Sequence, residues 1–159
     1  MFSFYTRGMS FIDMAYLRKS DINGGILTYC RRKTGQKLHI KWETCMQDIV
    51  DKYDTKSSTY LLPILTDCSL REERMQYLYL AHKVNHHLKE IGSSLRLSIS
   101  LTTYVARHTW ASVARSKNVP LSVISEGMGH DSEATTRIYL ASLDTVAVDR
   151  ANKMIIKLL

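Results

Sequence analysis

The sequence predicts an α+β domain that is mostly helical and carries a small three-stranded antiparallel sheet. Only two prolines and seven glycines interrupt 159 residues, which favours long helices. Apolar residues recur at helical spacing in several segments, and two β-rich runs flank Thr34-Gly35. Because 45% of the residues are hydrophobic and 23% are charged, we expect one soluble globular domain with its own core.

The first half of the chain is predicted to form a short helix, a hairpin and a second helix. Within residues 10–18, Phe11 and Met14 lie near helical spacing. The runs ILTYCRRK and QKLHIKW are β-rich and are separated by a turn, which predicts a hairpin with Lys33 beside that turn. Residues 43–53 return to helical spacing, so a helix is expected directly after the hairpin.

The middle of the chain is predicted to be helical. Residues 70–91 are the longest periodic segment, and Gly92 is expected to end that helix. A second helix is predicted over residues 104–116. A third is expected to start at Pro120, which suits a first helical turn, and to end near Gly127.

Two further helices are predicted to complete the chain. One begins after His130, where either Asp131 or Ser132 can cap it. Residues 145–159 place apolar side chains on one stripe. We therefore expect a terminal helix that docks against another surface.

Charge and cysteine usage narrow the class of protein. The formal net charge is +7, so the field of the protein should attract polyanions such as nucleic acid or acidic lipid. Cys30, Cys45 and Cys68 are odd in number and lack CxxC spacing, which argues against a disulfide framework and favours a reducing cytoplasm. No run approaches the roughly 18 apolar residues of a membrane span, and the start lacks the pattern of a secretory signal.

Four features lie in register along the chain. Arg107 is followed 23 residues later by His130 within Gly129-His130, and Tyr139 comes nine residues after that histidine. Lys33 stands in the setting Arg-Lys-Thr-Gly at the predicted hairpin turn. Together these features resemble the active-site boxes of the tyrosine recombinase/phage integrase family. The resemblance spans nearly the whole chain and is strongest to the catalytic domain of integrases from bacterial mobile elements.

The resemblance implies a fold and a reaction. We expect the tyrosine recombinase catalytic fold and site-specific cleavage and rejoining of DNA strands. Tyr139 would be the nucleophile that forms a 3′-phosphotyrosine, while Arg107 and His130 would contact the phosphate. Lys33 would protonate the leaving 5′ oxygen. Further phosphate contacts are expected from the basic hairpin residues Arg31, Arg32 and Lys37.

Two positions depart from the family pattern. Ser10 stands where the first box carries a catalytic arginine, and Asp13 takes the acidic position of that box. Arg7, one helical turn earlier, could restore the guanidinium, whereas Ser10 and Asp13 also have the form of a helix-capping box. Tyr104 occupies the histidine place of the His-x-x-Arg box. His108 is expected to pack behind the site and to orient Asp13 or a backbone group.

No cofactor or metal is expected. A covalent phosphotyrosine keeps the phosphoester bond, so the exchange requires neither ATP nor a metal ion. His82 and His86 are spaced as a metal-binding pair, but no third ligand is positioned by the sequence.

The resemblance also sets expectations for the assembly and the location. Residues 1–159 would form the catalytic domain alone, without the N-terminal DNA-binding domains of the family, and so would be a fragment that binds DNA weakly and with strong salt dependence. The partners would be double-stranded DNA and three further copies, in a tetramer joined by exchange of the C-terminal helix, with a monomer in the absence of DNA. The location would be a bacterial cytoplasm. A DNA invertase or resolvase, and a catalytically impaired DNA-binding protein, remain alternatives.

Overall fold

The computed structural model describes residues 1–140 and residue 156, apart from the side chains of residues 138 and 139. The terminal helix expected over residues 145–159 therefore lies outside the described residues, except for position 156. The described elements, in chain order, are α1 (Phe2–Tyr5), α2 (Phe11–Ala15), β1 (Ile22–Asn23), β2 (Ile26–Cys30), β3 (Lys37–Lys41), α3 (Thr44–Val50), α4 (Leu70–Ser94), α5 (Val105–Ser116), α6 (Leu121–Met128) and α7 (Glu133–Leu140). The predicted α+β class is confirmed.

The sheet is three-stranded and antiparallel, with the order β1-β2-β3, as predicted. Leu27 pairs with Ile40 and Tyr29 pairs with Leu38 across β2 and β3, and all four side chains are buried. Because successive residues of a strand point to opposite faces, this alternation gives the sheet one buried face. That face packs against α1 and α3 in one hydrophobic cluster.

The long helix α4 begins where the sequence predicts but ends later. Ser69 caps its start, since the Ser69 hydroxyl accepts the N–H of Glu72 and the Glu72 carboxylate accepts the N–H of Ser69. The predicted stop at Gly92 is wrong, because the helix continues to Ser94. A Cβ at position 92 would lie 3.3 Å from Leu101 Cγ, so glycine there allows the chain leading to α5 to pack closely. No described helix is both long and apolar enough to cross a membrane.

The starts and ends of helices α5 to α7 agree closely with those predicted from the sequence. Pro120 precedes α6 directly, and that helix ends at Met128, one residue beyond the expected Gly127. Ser132, rather than Asp131, caps α7, because its hydroxyl accepts the N–H of Thr135 at 3.3 Å. These three helices pack around a second hydrophobic cluster. The candidate site lies where the hairpin and the α1–α2 turn meet this second cluster.

Replacing Leu27 by alanine is expected to lower the free energy of unfolding by about 2–5 kcal/mol, because the side chain is fully buried under the sheet. Ile26, its neighbour on the same strand, is 46% exposed, and Ile26→Ala is expected to cost about 1 kcal/mol or less. Urea unfolding followed by circular dichroism measures both changes. Equal losses in the two variants would contradict the assignment of the buried face.

Candidate active site

The buried guanidinium of Arg107 lies at the centre of the candidate site. Arg107 is in the first turn of α5 and is 2% exposed. Its Nη1 donates to the Gly8 carbonyl at 2.8 Å, and its Nη2 donates to the Met128 carbonyl at 2.7 Å and to His130 Nε2 at 2.9 Å. Because a buried charge needs hydrogen-bond partners, these contacts hold α5, the α1–α2 turn and the end of α6 together.

Gly129 and His130 form the C-terminal cap of α6. Gly129 has a φ of 63°, and the N–H of His130 donates to the Ser125 carbonyl at 3.0 Å, as in a Schellman motif. A Cβ at position 129 would lie 2.7 Å from Arg31 Cδ and 2.9 Å from Leu38 Cδ1. Glycine is therefore required here both by the left-handed backbone and by the close approach of the hairpin.

The imidazole of His130 is held from two sides. Its Nε2 faces the Arg107 guanidinium, and its Nδ1 lies 2.7 Å from Thr136 Oγ1 on α7. Burial lowers the pKa of His130 to about 4. Charged neighbours also act on this pKa: Arg107, Arg31 and Lys33 lower it, and Asp131 raises it. The ring is therefore neutral at pH 7, in a region of positive potential.

Arg31, which was predicted to contact phosphate, is buried. Its side chain is 6% exposed, and its Nη1 donates to the Gly129 carbonyl, 98 residues away in the chain. Its Nε is buried and has no hydrogen-bond partner among the described residues. Contact of Arg31 with phosphate stays a prediction. Its side chain points into the site and adds a second buried guanidinium beside Gly129 and His130.

The other basic residues of the hairpin are exposed. Lys33 lies in the loop between β2 and β3, close enough for its charge to lower the pKa of His130. The Arg32 guanidinium stacks over the Tyr16 ring at 3.5 Å from its centroid, and Lys37 begins β3. Contact of Arg32, Lys33 and Lys37 with DNA stays a prediction, and their exposure leaves them available for it.

Ser10 serves as the cap of α2. Its hydroxyl donates to the Asp13 carboxylate at 2.6 Å and accepts the N–H of Asp13 at 3.3 Å. Asp13 is buried and also accepts the backbone N–H of Arg32 at 2.9 Å, which ties α2 to the hairpin loop. Of the two interpretations left open for Ser10, the structure supports the helix cap.

Arg7 lies against α6, next to Gly127. It is half-buried, and its Cδ would lie 3.7 Å from a Cβ on Gly127, beside Trp110. The charge of Arg7 slightly lowers the pKa of Tyr29, a buried residue of β2. Overall the pKa of this phenol is raised, chiefly by burial and further by Asp13. Tyr29 therefore stays a neutral phenol among the charged groups of this region, and its place beside the site was not predicted from the sequence.

Tyr104 and His108 lie together on the outside of α5. Tyr104 precedes the helix and is 47% exposed, and the two rings meet edge to face at 5.2 Å between centroids. His108 is exposed as well. Its ring is still partly shielded from water, and this partial burial, followed by the charge of Arg107, lowers the pKa of His108. The expectation that His108 packs behind the site is therefore wrong, because one step along the helix from Arg107 turns its side chain outward.

The predicted nucleophile, Tyr139, lies in α7, and its side chain is outside the described part of the chain. Thr136, one helical turn earlier, is fully buried and contacts His130. This contact ties α7, the helix that carries Tyr139, to His130. In the sequence, Thr136 is marked only by its position three residues before the predicted nucleophile.

The histidines of α4 do not form a metal centre with described neighbours. Within residues 1–140 and 156, no three His, Cys, Asp or Glu side chains converge closely enough to hold a metal ion. His86 pairs instead with Glu90 at 3.5 Å on the exposed side of the helix.

Comparison with known proteins adds a family and a set of similar folds. The phage integrase family matches residues 5–145. XerA recombinase is similar in fold, with a TM-score of 0.65 and 20% identity over 96% of this chain and 55% of that chain. XerH recombinase bound to a palindromic difH substrate has a TM-score of 0.64 and 16% identity over 94% of this chain and 42% of that chain. A lambda integrase dimer bound to a COC' core site has a TM-score of 0.56 and 16% identity over 87% of this chain and 49% of that chain. The chain thus spans about half of each of these structures. A search of curated proteins found no match.

Gly129→Ala is expected to lower the free energy of unfolding by about 2–4 kcal/mol and to displace the hairpin, because the new methyl group is both strained and in contact with Arg31 Cδ. Gly24→Ala is the matched control, since Gly24 also has a positive φ but has open space around it. Urea unfolding gives the stability, and limited trypsin digestion reports whether the chain after Arg31 becomes accessible. Equal stability losses and equal cleavage in the two variants would contradict the close approach.

Proposed function

The chain belongs to the phage integrase family, and from that premise we propose that it is a site-specific DNA recombinase that acts through a 3′-phosphotyrosine intermediate. The observation that carries the proposal is the convergence of two buried guanidinium groups, those of Arg107 and Arg31, on the adjacent carbonyls of Met128 and Gly129 beside His130. Two solved structures of similar fold are described as bound to DNA substrates. Double-stranded DNA is accordingly the partner that we assign.

A phosphodiester suits the charges of this corner. Two buried like charges repel one another in a low-dielectric interior, and a bound anion offsets that repulsion. After burial, the charges of Arg107 and Arg31 are the next largest causes of the lowered pKa of His130. The planar forks of Arg107 and Arg31 match the non-bridging oxygens of a phosphate, and a phosphate is the anion that DNA presents at regular spacing.

The proposed cleavage is a transesterification. The phenolic oxygen of Tyr139 attacks the phosphorus, and the bond from phosphorus to the 5′ oxygen breaks as the bond to tyrosine forms. The phenol proton is released to solvent, and Lys33 gives a proton to the departing 5′ oxygen. Arg107 and Arg31 stabilise the charge that develops on the non-bridging oxygens, and His130 donates to it. Attack by a 5′ hydroxyl reverses these steps and rejoins the strand.

Arg31 is our candidate for the arginine that the first box lacks. Ser10 is engaged with Asp13 as a helix cap, and Arg7 lies beside Gly127 on α6. Arg31 reaches the carbonyl of Gly129 directly and has a buried Nε without a partner among the described residues. This geometry supports the assignment of the second phosphate-binding guanidinium to Arg31.

The finer biological role rests on the resemblance of the sequence. We propose integration and excision of a mobile element, with metal- and ATP-independent chemistry in a bacterial cytoplasm. A DNA invertase or resolvase would use the same active site and differs only in the arrangement of its DNA sites. A catalytically impaired DNA-binding protein is the third candidate, and the position of Arg31 weighs against it because the second guanidinium is present.

The proposed assembly follows from the same resemblance. We propose a monomer without DNA and a tetramer on DNA, joined through the segment 145–159, which lies outside the described residues. The chain spans about half of the recombinases that it resembles in fold, and we propose that residues 1–159 form a catalytic domain. DNA binding by this domain is expected to be weak and to fall steeply with salt.

Tyr139→Phe is expected to abolish covalent attachment to DNA without changing DNA binding, because only the attacking oxygen is removed. The substrate is a pool of 5′-labelled duplexes whose sequence is randomised around a nick in the labelled strand. After cleavage the short fragment next to the nick dissociates, so the strand cannot be rejoined and the covalent adduct accumulates. A denaturing gel then detects the labelled adduct. Tyr79→Phe, at an exposed position of α4, is the control and should keep full activity. An adduct that persists in Tyr139→Phe would refute the nucleophile, and absence of any wild-type adduct would favour the impaired alternative.

Arg31→Ala is expected to slow adduct formation by roughly 100-fold, the loss typical of one removed transition-state donor. Arg7→Ala is the control and should stay within about threefold of wild type, because its side chain is not assigned to the phosphate. Rates are measured by single-turnover trapping on the same duplex pool, and thermal unfolding confirms that each variant is folded. A large loss in Arg7→Ala with little loss in Arg31→Ala would reverse the assignment.

A further inference from the structure

The proposed reaction gives no role to Thr136, although this threonine is buried against a histidine of the site. Its side chain is fully buried, and its hydroxyl lies 2.7 Å from Nδ1 of His130. It stands on α7, one helical turn before Tyr139. A buried hydroxyl is almost always hydrogen-bonded, and here the partner is the imidazole of the proposed phosphate-binding histidine.

The direction of the hydrogen bonds around His130 follows from the chemistry of arginine. A guanidinium has only donors, so the 2.9 Å contact from Arg107 Nη2 makes Nε2 of His130 the acceptor. The ring is neutral, so its one proton is on Nδ1. Nδ1–H therefore donates to Thr136 Oγ1, and the hydroxyl accepts in this DNA-free state.

The proposed reaction requires the opposite arrangement. To donate to a phosphate oxygen, His130 must carry its proton on Nε2, which leaves Nδ1 as an acceptor. A hydroxyl can fill both needs, since it accepts from Nδ1–H or, after rotation about its C–O bond, donates to bare Nδ1. Carbonyl and carboxylate groups, which often orient catalytic histidines, can only accept from the ring.

We propose that Thr136 is a positioning residue that holds the His130 ring in one place while the ring changes from its Nδ1–H to its Nε2–H form. In that change the imidazole loses a proton from Nδ1 and gains one at Nε2 by exchange with solvent, and the hydroxyl proton of Thr136 turns towards Nδ1. Arg107 then turns its donors from Nε2 to the phosphate. The inference rests on the proposed function only for the DNA-bound state.

The same hydrogen bond also couples two elements of the site. Thr136 and Tyr139 share α7, whereas His130 follows the cap of α6. The bond from Nδ1 to Oγ1 therefore fixes the first part of α7 against the corner that Arg107 and Arg31 approach. A side chain without a hydroxyl would leave both the ring and the helix without this constraint.

The first test reads the tautomer directly and needs no DNA. In ¹⁵N-labelled protein, imidazole nitrogen shifts distinguish a protonated from a bare nitrogen, and His130→Gln identifies the signals of this ring among the six histidines. Wild type and Thr136→Ser are expected to carry a hydrogen-bonded proton on Nδ1. Thr136→Val should keep the proton on Nδ1, because Arg107 still donates to Nε2, but its Nδ1 signal should shift because Nδ1–H loses its acceptor. A wild-type ring protonated on Nε2, or an unchanged pattern in Thr136→Val, would overturn the proposal.

The second test measures adduct formation on the nicked duplex pool. Thr136→Val is expected to slow the reaction about tenfold or more, the effect of leaving one buried donor unpaired, and Thr136→Ser should recover most of the rate. Thr135→Val is the control, because Thr135 is exposed and bonds only at the start of α7. Equal rates in Thr136→Val and Thr135→Val, or no recovery by serine in a folded variant, would refute the role of the hydroxyl. Absence of a wild-type adduct would count against the proposed function, while the tautomer measurement still decides the hydrogen bond.

Discussion

The burial of one positive charge organises the two halves of the molecule. The Arg107 guanidinium is held by the carbonyls of Gly8 and Met128 and by the imidazole of His130. These acceptors come from the α1–α2 turn and from both sides of the α6 cap, so one side chain joins the region of the sheet to the three C-terminal helices. Leaving a buried charge without its partners costs roughly 3–5 kcal/mol, a large share of the stability of a small domain. Separating the two halves would remove the acceptors of this buried guanidinium, and the resulting loss of free energy keeps the halves together.

The approach of the hairpin to Gly129 adds the second constraint. The missing side chain at this position lets Arg31 and Leu38 come within contact of the α6 cap, and the left-handed backbone turns His130 back towards Arg107. Burial, followed by the positive charges of Arg107 and Arg31 beside the ring, lowers the pKa of His130 to about 4. Under the proposed function, a bound phosphate would offset the repulsion between these two buried charges and so gain binding energy from it.

What could be predicted from the sequence was local. The hairpin, the helix starts and the register of the motifs depend on neighbouring residues, so alternation, caps and spacing revealed them. Arg31 could not be placed in the site in this way, because its burial depends on Gly129, 98 residues later. Ser10 stayed ambiguous because a helix cap and a catalytic position use the same residue, and only its bonds to Asp13 separate them. Gly92 misled for a similar reason, since its role is to admit Leu101 from a later segment.

The position of Arg31 also bears on how the site is assembled. Phosphoryl transfer requires guanidinium donors at fixed points around the phosphorus and does not depend on which strand or helix supplies them. With Arg31 and Lys33 on the same loop, the hairpin would bring both the proposed phosphate-binding guanidinium and the proposed acid to the site. Any displacement of that loop from Gly129 withdraws both groups together, whereas an arginine on α2 would stay in place. The chemistry of this site is thereby tied to the docking of the hairpin, through the contact between Arg31 and the Gly129 carbonyl.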